Sequence, residues 1–186
     1  QRQLVDQIFK DQGLEAPDLR PLIRARITAL NGEMITQEMM RATRPAQQVR
    51  ARSLRREYNL TTQIKMSDSE RLVSGRWWSD KEAHSSSHKY VSVEQRHASR
   101  MGLNIGDTIT FDLQGREMSF VIGSIRAVNW LSFKPNFLYV LAPGPLQKAP
   151  KMWVGGARLR STQNFNALSD AIFERAPNFI CNWTDS

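Results

Sequence analysis

Apolar and polar positions alternate with two different periods along this chain, and the period changes mark its elements. Leu4, Val5, Ile8 and Phe9 recur three and four residues apart, which predicts an amphipathic helix over residues 2–14 with Gly13 as its C-terminal cap. Residues 22–30 switch to a period of two, and Ile23, Ala25 and Ile27 fall on one face of a strand. Asn31-Gly32 then supplies a hairpin turn, because both residue types tolerate a positive φ. From Glu33 to Arg56 no period emerges; the segment is polar, rich in Gln and Arg, and reads as loop or surface helix. Val91–Val93 is a short strand leading into a helix from Glu94 to Met101, closed by Gly102. Residues 106–113 alternate cleanly, Gln114-Gly115 turns the chain, and Glu117–Val128 returns as the longer arm of a hairpin. Asn136–Leu141 is an apolar strand stopped by Pro143-Gly144-Pro145, and Met152–Leu159 is a further candidate strand. Phe165, Leu168, Ala171 and Ile172 share a helical face over Asn164–Arg175; Pro177 ends that helix and Phe179-Ile180 begins a last strand. Helices at both ends and hairpins between them indicate an α+β fold with a mostly antiparallel middle.

Composition narrows the class. The 186 residues suffice for one ordinary domain or two small ones, and 40% apolar with 24% charged residues excludes disordered, collagenous and coiled-coil chains. The longest stretch free of Asp, Glu, Lys and Arg is Pro135–Gln147, 13 residues with three prolines. A membrane-spanning helix needs about 20. Cys181 is the single cysteine, so an internal disulfide and a cysteine zinc cage are both excluded. The first residue is Gln rather than Met, which reads as a chain processed or excised from a longer protein.

The usual catalytic arrangements do not emerge. No Gly-x-Ser-x-Gly elbow, Gly-x-Gly-x-x-Gly loop or Walker loop occurs, and carboxylates are not paired in sequence, so no nucleotide cofactor and no catalytic residue is assigned. His84 and His88 are four residues apart but lack a third ligand, so no metal site is assigned either, and His97 reads as a surface residue of its helix. The net charge is +8, and Arg41, Arg44, Arg50, Arg52, Arg55 and Arg56 crowd a stretch without an acidic residue. Such a stripe is the footprint of phosphate binding, which keeps a nucleic-acid-binding domain as the alternative reading. It lacks the interleaved aromatics that single-stranded nucleic acid stacks upon, and no finger, RNP or helix-turn-helix signature accompanies it.

Aromatic residues supply the candidate partner-binding set. Trp77 and Trp78 are adjacent, so on a strand they cannot both face inward, and one is expected to cap a cleft or touch a partner. In the segment 130–137, Trp130, Phe133 and Phe137 are interrupted by Ser132, Lys134, Pro135 and Asn136. Pro135 removes a ladder donor and biases Lys134 to extended geometry, so the segment is expected to be a constrained loop. Trp130, Phe133, Lys134, Asn136 and Phe137 with Trp77 and Trp78 are therefore the candidates for a docking surface, against inward core packing, which is expected to take most of the aromatics.

Several strings together carry a family resemblance. They are Arg56-Glu57-Tyr58-Asn59-Leu60-Thr61, Val73-Ser74-Gly75-Arg76-Trp77-Trp78, Val91-Ser92-Val93-Glu94, the stretch from Met101 to Phe111, Ser124-Ile125-Arg126-Ala127-Val128-Asn129-Trp130, and Ser132-Phe133-Lys134-Pro135-Asn136-Phe137. Over about residues 22–147 their order and spacing resemble the large extracytoplasmic domain of bacterial ABC-transporter permeases of the FtsX/MacB superfamily, the YbbP-like permeases most of all. The Arg-rich interval and residues 176–186 lie outside the likeness, and the strand expected before the first helix is missing. The resemblance implies a MacB-like periplasmic core, with a discontinuous α/β porter-like part from residues 1–52 and 148–186 and an inserted β-rich, sabre-like part over 53–147. It implies a non-catalytic periplasmic domain of an inner-membrane protein, flanked by one transmembrane helix before and three after, without a cofactor. The implied partners are a separate cytoplasmic ATPase subunit, a second permease copy, and a periplasmic protein or lipid-like cargo, with no nucleic acid. Motion driven by ATP would be transmitted to the periplasmic side, and the basic stripe would lie near anionic headgroups.

Overall fold

The computed structural model describes residues 2–41, 45–132, 134–156 and 162–175. Contacts divide the chain into two compact units, one of Gln1–Arg20, Phe133–Pro135 and Trp153–Ser186, the other of Pro21–Ser132 and Asn136–Met152.

In the first unit, α1 (Arg2–Asp11) ends at Gly13, whose φ of +67° lets Leu14 N–H reach back to the Phe9 carbonyl. Val5, Ile8 and Phe9 form the buried stripe of α1. Together with Leu19 they pack against Leu168 and Ile172 of the C-terminal helix, which runs from Thr162 to Arg175. An exposed ion pair, Arg175 to Asp11 at 2.6 Å, joins the ends of the two helices.

The second unit is built on a sheet. Its elements are β1 (Arg20–Leu30), β2 (Glu33–Met34), α2 (Gln37–Met40), α3 (Pro45–Arg55), β3 (Tyr58–Thr62), β4 (Glu70–Gly75), α4 (Asp80–His84), β5 (Tyr90–Glu94), α5 (Gln95–Met101), β6 (Thr108–Asp112), β7 (Glu117–Val128) and β8 (Tyr139–Leu141). Pairing runs β1–β3–β8–β5–β7–β6 and returns from β6 to β1, a closed circuit of six strands. Ile23 lies opposite Leu60 across the β1–β3 pair and Ile27 opposite Phe111 across the β1–β6 pair. Two pairs, β3 with β8 and β5 with β7, are parallel; the rest of the circuit is antiparallel. The inward residues of all six strands, among them Tyr58, Leu60, Val91, Val93, Ile109, Phe111, Phe120, Ile122, Tyr139 and Leu141, form the core. Leu54 of α3 and Ala98 and Met101 of α5 join that core, so both helices lie on the barrel-like sheet.

The turns follow the residues predicted for them. Asn31 and Gly32 have φ of +50° and +82°, and Gln114 and Gly115 have +57° and +90°, the double positive-φ pattern of a type I′ hairpin. Asn31 does more than turn the chain: its side-chain oxygen accepts Thr108 N–H at 2.7 Å while its amide donates to Asp107 at 3.0 Å. Asp107 in turn accepts Asn104 N–H at 2.7 Å, so a local turn and a distant hairpin are locked together at the mouth of β6.

Some sequence expectations change. β3 and β4 were not expected as strands, and the parallel pairs cannot be deduced from hairpin signals. The strand expected over Asn136–Leu141 is confined to Tyr139–Leu141, because Asn136 spends its side chain on bracing the preceding turn. The strand expected over Met152–Leu159 is described as Met152–Val154 (β9). Phe179-Ile180 and the role of Pro177 lie outside the described residues. His97 is not a surface residue: it is 2% exposed, because it occupies the face of α5 that turns toward β8.

Candidate functional site

The loop after β7 is the best-built surface feature of the second unit. Asn129 N–H donates to the Ser69 carbonyl at 2.8 Å, fixing where the loop leaves the sheet. Its side chain accepts Leu131 N–H at 3.1 Å, and its carbonyl receives Ser132 N–H at 3.2 Å. Asn136 closes the turn from the other side. Its amide donates to the Asn129 carbonyl and to the Ser132 hydroxyl, both at 3.1 Å, and its oxygen accepts from Ser69 Oγ at 3.3 Å. This bracing holds Trp130 47% exposed and Leu131 96% exposed at the tip.

Trp130 borders an open cleft of about 590 Å³ whose other walls are Glu94, Gln95, Arg96, Ser99 and Arg100, the outer face of α5. Glu94 is turned away from solvent and caps the helix, accepting Arg96 N–H at 3.0 Å and His97 N–H at 2.7 Å. The exposed groups of the cleft are therefore cationic or neutral. α3 packs beside α5, and Arg52 and Arg55 border a smaller hollow of about 230 Å³ on it. The guanidinium of Arg56 sits 4.9 Å over the Tyr58 ring.

Beneath this face lies a buried polar cluster. His97 Nε2 meets the Tyr139 hydroxyl at 2.7 Å, and the rings of His97, Tyr58 and Tyr139 pack edge to face. Burial first, then the charges of Arg100 and Arg56, lower the His97 pKa to about 4, so the ring is neutral at pH 7. Burial likewise raises Tyr139 and Tyr58. An acid–base pair with both partners out of solvent has no path to a substrate, so this cluster is core structure.

A second buried polar group anchors the loop. Arg126 has no solvent exposure, yet its Nε donates to Glu70 at 2.9 Å, one amino group to the Ser92 carbonyl at 2.8 Å, and the other to the Phe137 carbonyl at 2.5 Å. Burial lowers its pKa and the Glu70 carboxylate opposes the shift, keeping the guanidinium charged. Sequence reasoning missed this pair, although the signal was present. The period of two that puts Phe120 and Ile122 inward on β7 also puts Ser124 and Arg126 inward.

The candidate docking residues separate accordingly. Trp130 is on the surface and borders the cleft. Phe137 is 6% exposed and belongs to the core, a correction that follows from its carbonyl being drawn inward by Arg126. Trp78 is also buried, its Nε1–H satisfied by the Gln63 carbonyl at 3.0 Å. Trp77 is the outer of the two, half-buried, stacked on Trp78 with centroids 4.0 Å apart and donating to the Ile64 carbonyl at 2.9 Å. Asn136 is a brace rather than a contact group. Lys134 is half-buried, and Phe133 lies outside the described residues. Among the described candidates, Phe137 and Trp78 are buried, and Trp130 borders the cleft. Arg96, Arg100 and Leu131, which the structure places around Trp130, carried no motif to mark them.

Among the described residues no group of three metal-ligating side chains converges, and His84 bonds to the Asp80 carbonyl at 2.7 Å at the end of α4. No helix of the described residues is long and apolar enough to cross a membrane.

No protein-family model matches the chain. It is 31% identical over 138 residues to the uncharacterized ABC transporter permease YbbP of Escherichia coli strain K12. The match takes in 74% of the chain but 15% of that relative's length, so the chain corresponds to a small part of a much larger protein. The likeness is to part of a protein named as an ABC transporter permease. Nothing in the fold or in this relative supports the nucleic-acid reading.

Proposed function

We propose that the chain is the extracytoplasmic, periplasmic domain of a bacterial inner-membrane ABC permease of the FtsX/MacB superfamily. The observation that carries the reading is the 31% identity with a permease over three quarters of the chain. Two features support it further. One compact unit joins residues of both chain ends, as a discontinuous part would, while residues 21–52, expected in that part, fall in the other unit with the middle. The buried His97–Tyr139 and Arg126–Glu70 pairs are each bound to structural partners, which suits a domain that transmits force rather than one that performs chemistry.

In this role the domain converts ATP-driven closure of a cytoplasmic ATPase subunit into movement on the periplasmic side, acting on a hydrophobic or lipoprotein-like cargo or on a periplasmic partner. A second permease copy stands opposite it. Reporter insertion tests the reading. Alkaline phosphatase placed in the exposed Ser85–Ser87 loop of the full-length protein is expected to be active, and a fluorescent protein that matures only in the cytoplasm is expected to stay dark there. The reverse pattern, or a complete gene product without apolar spans flanking these residues, ends it.

A further inference from the structure

Trp130 and Leu131 sit on a turn that the fold braces firmly and then leaves in water. Leu131 is 96% exposed, and the Asn129 and Asn136 side chains hold the turn that presents it. An adjoining pair of large apolar side chains on a braced tip costs hydration in the free molecule and gains on entering an apolar phase. The neighbouring chemistry is cationic. Arg96 and Arg100 lie one helical turn apart on the exposed side of α5 and share the cleft of about 590 Å³ with Trp130. Glu94, the acidic residue among the described walls of the cleft, is buried and engaged with backbone amides, and the exposed acidic residue nearest the base of the tip is Asp68, next to the Ser69 whose carbonyl accepts Asn129 N–H.

We propose that this face is a membrane-docking surface for anionic lipid, with Trp130-Leu131 entering the boundary between headgroups and acyl chains and Arg96 and Arg100 meeting lipid phosphates. Tryptophan prefers that boundary, the guanidinium fork matches phosphate geometry, and an apolar tip flanked by the two arginines of α5 fits an anionic bilayer better than an acidic soluble protein. The inference deepens the permease reading and rests on it for a bilayer within reach. Vesicle binding reports on this face alone, whereas reporter topology decides the permease reading, so either can fail without the other.

The test is co-sedimentation of the 186-residue chain with phosphatidylcholine vesicles containing about one-third phosphatidylglycerol, with salt raised from about 50 to about 300 mM. Binding is expected to require phosphatidylglycerol and to weaken with salt. R96Q/R100Q is expected to lose about 25-fold in partitioning, from about fivefold per arginine. W130S/L131S is expected to lose at least about tenfold. R26Q/R116Q removes two exposed arginines beside the far end of β7, one on β1 opposite Asp112 and one in the β6–β7 turn, and is expected to stay within about twofold of the parent. Equal losses in R96Q/R100Q and R26Q/R116Q would show net charge alone at work and overturn the proposal. Binding independent of phosphatidylglycerol, or undiminished in W130S/L131S, overturns it too. Circular dichroism of each variant checks that the fold is retained; should W130S/L131S unfold, L131S alone replaces it.

Discussion

At the scale of single residues, the buried cations and the neutral histidine make demands that can be measured. Arg126 holds Glu70, the Ser92 carbonyl and the Phe137 carbonyl at once. Arg126→Met would strand the Glu70 carboxylate in the interior, and the expected loss is about 3–5 kcal/mol. Adding Glu70→Gln should return part of it, as denaturant melts of the two single variants and the double variant would show. A loss below about 1 kcal/mol for Arg126→Met would refute the anchoring role. His97 predicts a pH dependence. Its folded pKa of about 4 lies below the ordinary value of 6.5, so the unfolded chain binds the proton more readily. Stability from this residue is therefore complete above about pH 6.5, declines as pH falls through the interval, and is lost by roughly 3 kcal/mol near pH 4. His97→Gln should flatten that part of the stability–pH curve, and an unchanged slope would contradict the assignment. Phe137 and Leu131 make a third contrast, separated by five residues but opposite in environment. Phe137→Ala should cost about 3 kcal/mol or more, while Leu131→Ser should change thermal stability by no more than about 0.5 kcal/mol.

At the scale of elements, the β4–β7 pair carries the sharpest steric constraint. Its register shifts between Leu72 and Ser74, and the strand ends at Gly75 with φ of +75°. A Cβ at Gly75 would lie 2.3 Å from the Gly123 carbonyl oxygen and 3.0 Å from Ser124 Cα, both backbone atoms that cannot swing aside. Gly75→Ala is therefore expected to cost at least about 2 kcal/mol, combining left-handed strain with the clash. Near-wild-type melting of that variant would mean the strand end relaxes easily. α5 is the contrasting case. Every local signal agrees there, with Glu94 as the N-cap, Gly102 in the left-handed conformation as the C-cap, and Ala98 and Met101 buried on one face, and the helix forms where its pattern placed it.

At the scale of the whole molecule, the architecture is a closed six-strand circuit clad by short helices, together with a separate helical unit from the chain ends. The sequence carries neither a Gly-x-Gly-x-x-Gly nor a Walker motif, and isothermal titration with ATP is expected to give no saturable heat and the chain no ATPase activity. Saturable binding at micromolar ATP would refute this and reopen the enzyme reading. The docking face of α5 and the Trp130-Leu131 tip belongs to this scale as well, because it draws on residues from Arg96 to Leu131 that only the completed sheet brings together.

What the sequence determined by itself is local. The period-two runs of β1, β6 and β7, the two positive-φ hairpin turns, the amphipathic α1 and the Asn164–Arg175 face each arise from neighbours within about a dozen residues, where backbone geometry and side-chain spacing suffice. The family resemblance was also legible, because it lives in the order of short strings. Tertiary structure decided the rest. The parallel pairing of β3 with β8 and β5 with β7 joins segments distant in sequence. The burial of His97 required Tyr139, 42 residues away, and that of Arg126 required Glu70, 56 residues away. A polar residue's place depends on whether a partner meets it after the chain has closed, since burial without one is unfavourable and burial with one is tolerated. That condition is absent from any local window, which is why the spacing left open whether Phe137 packs inward and which of Trp77 and Trp78 does, and why Arg96 and Leu131 went unmarked beside Trp130.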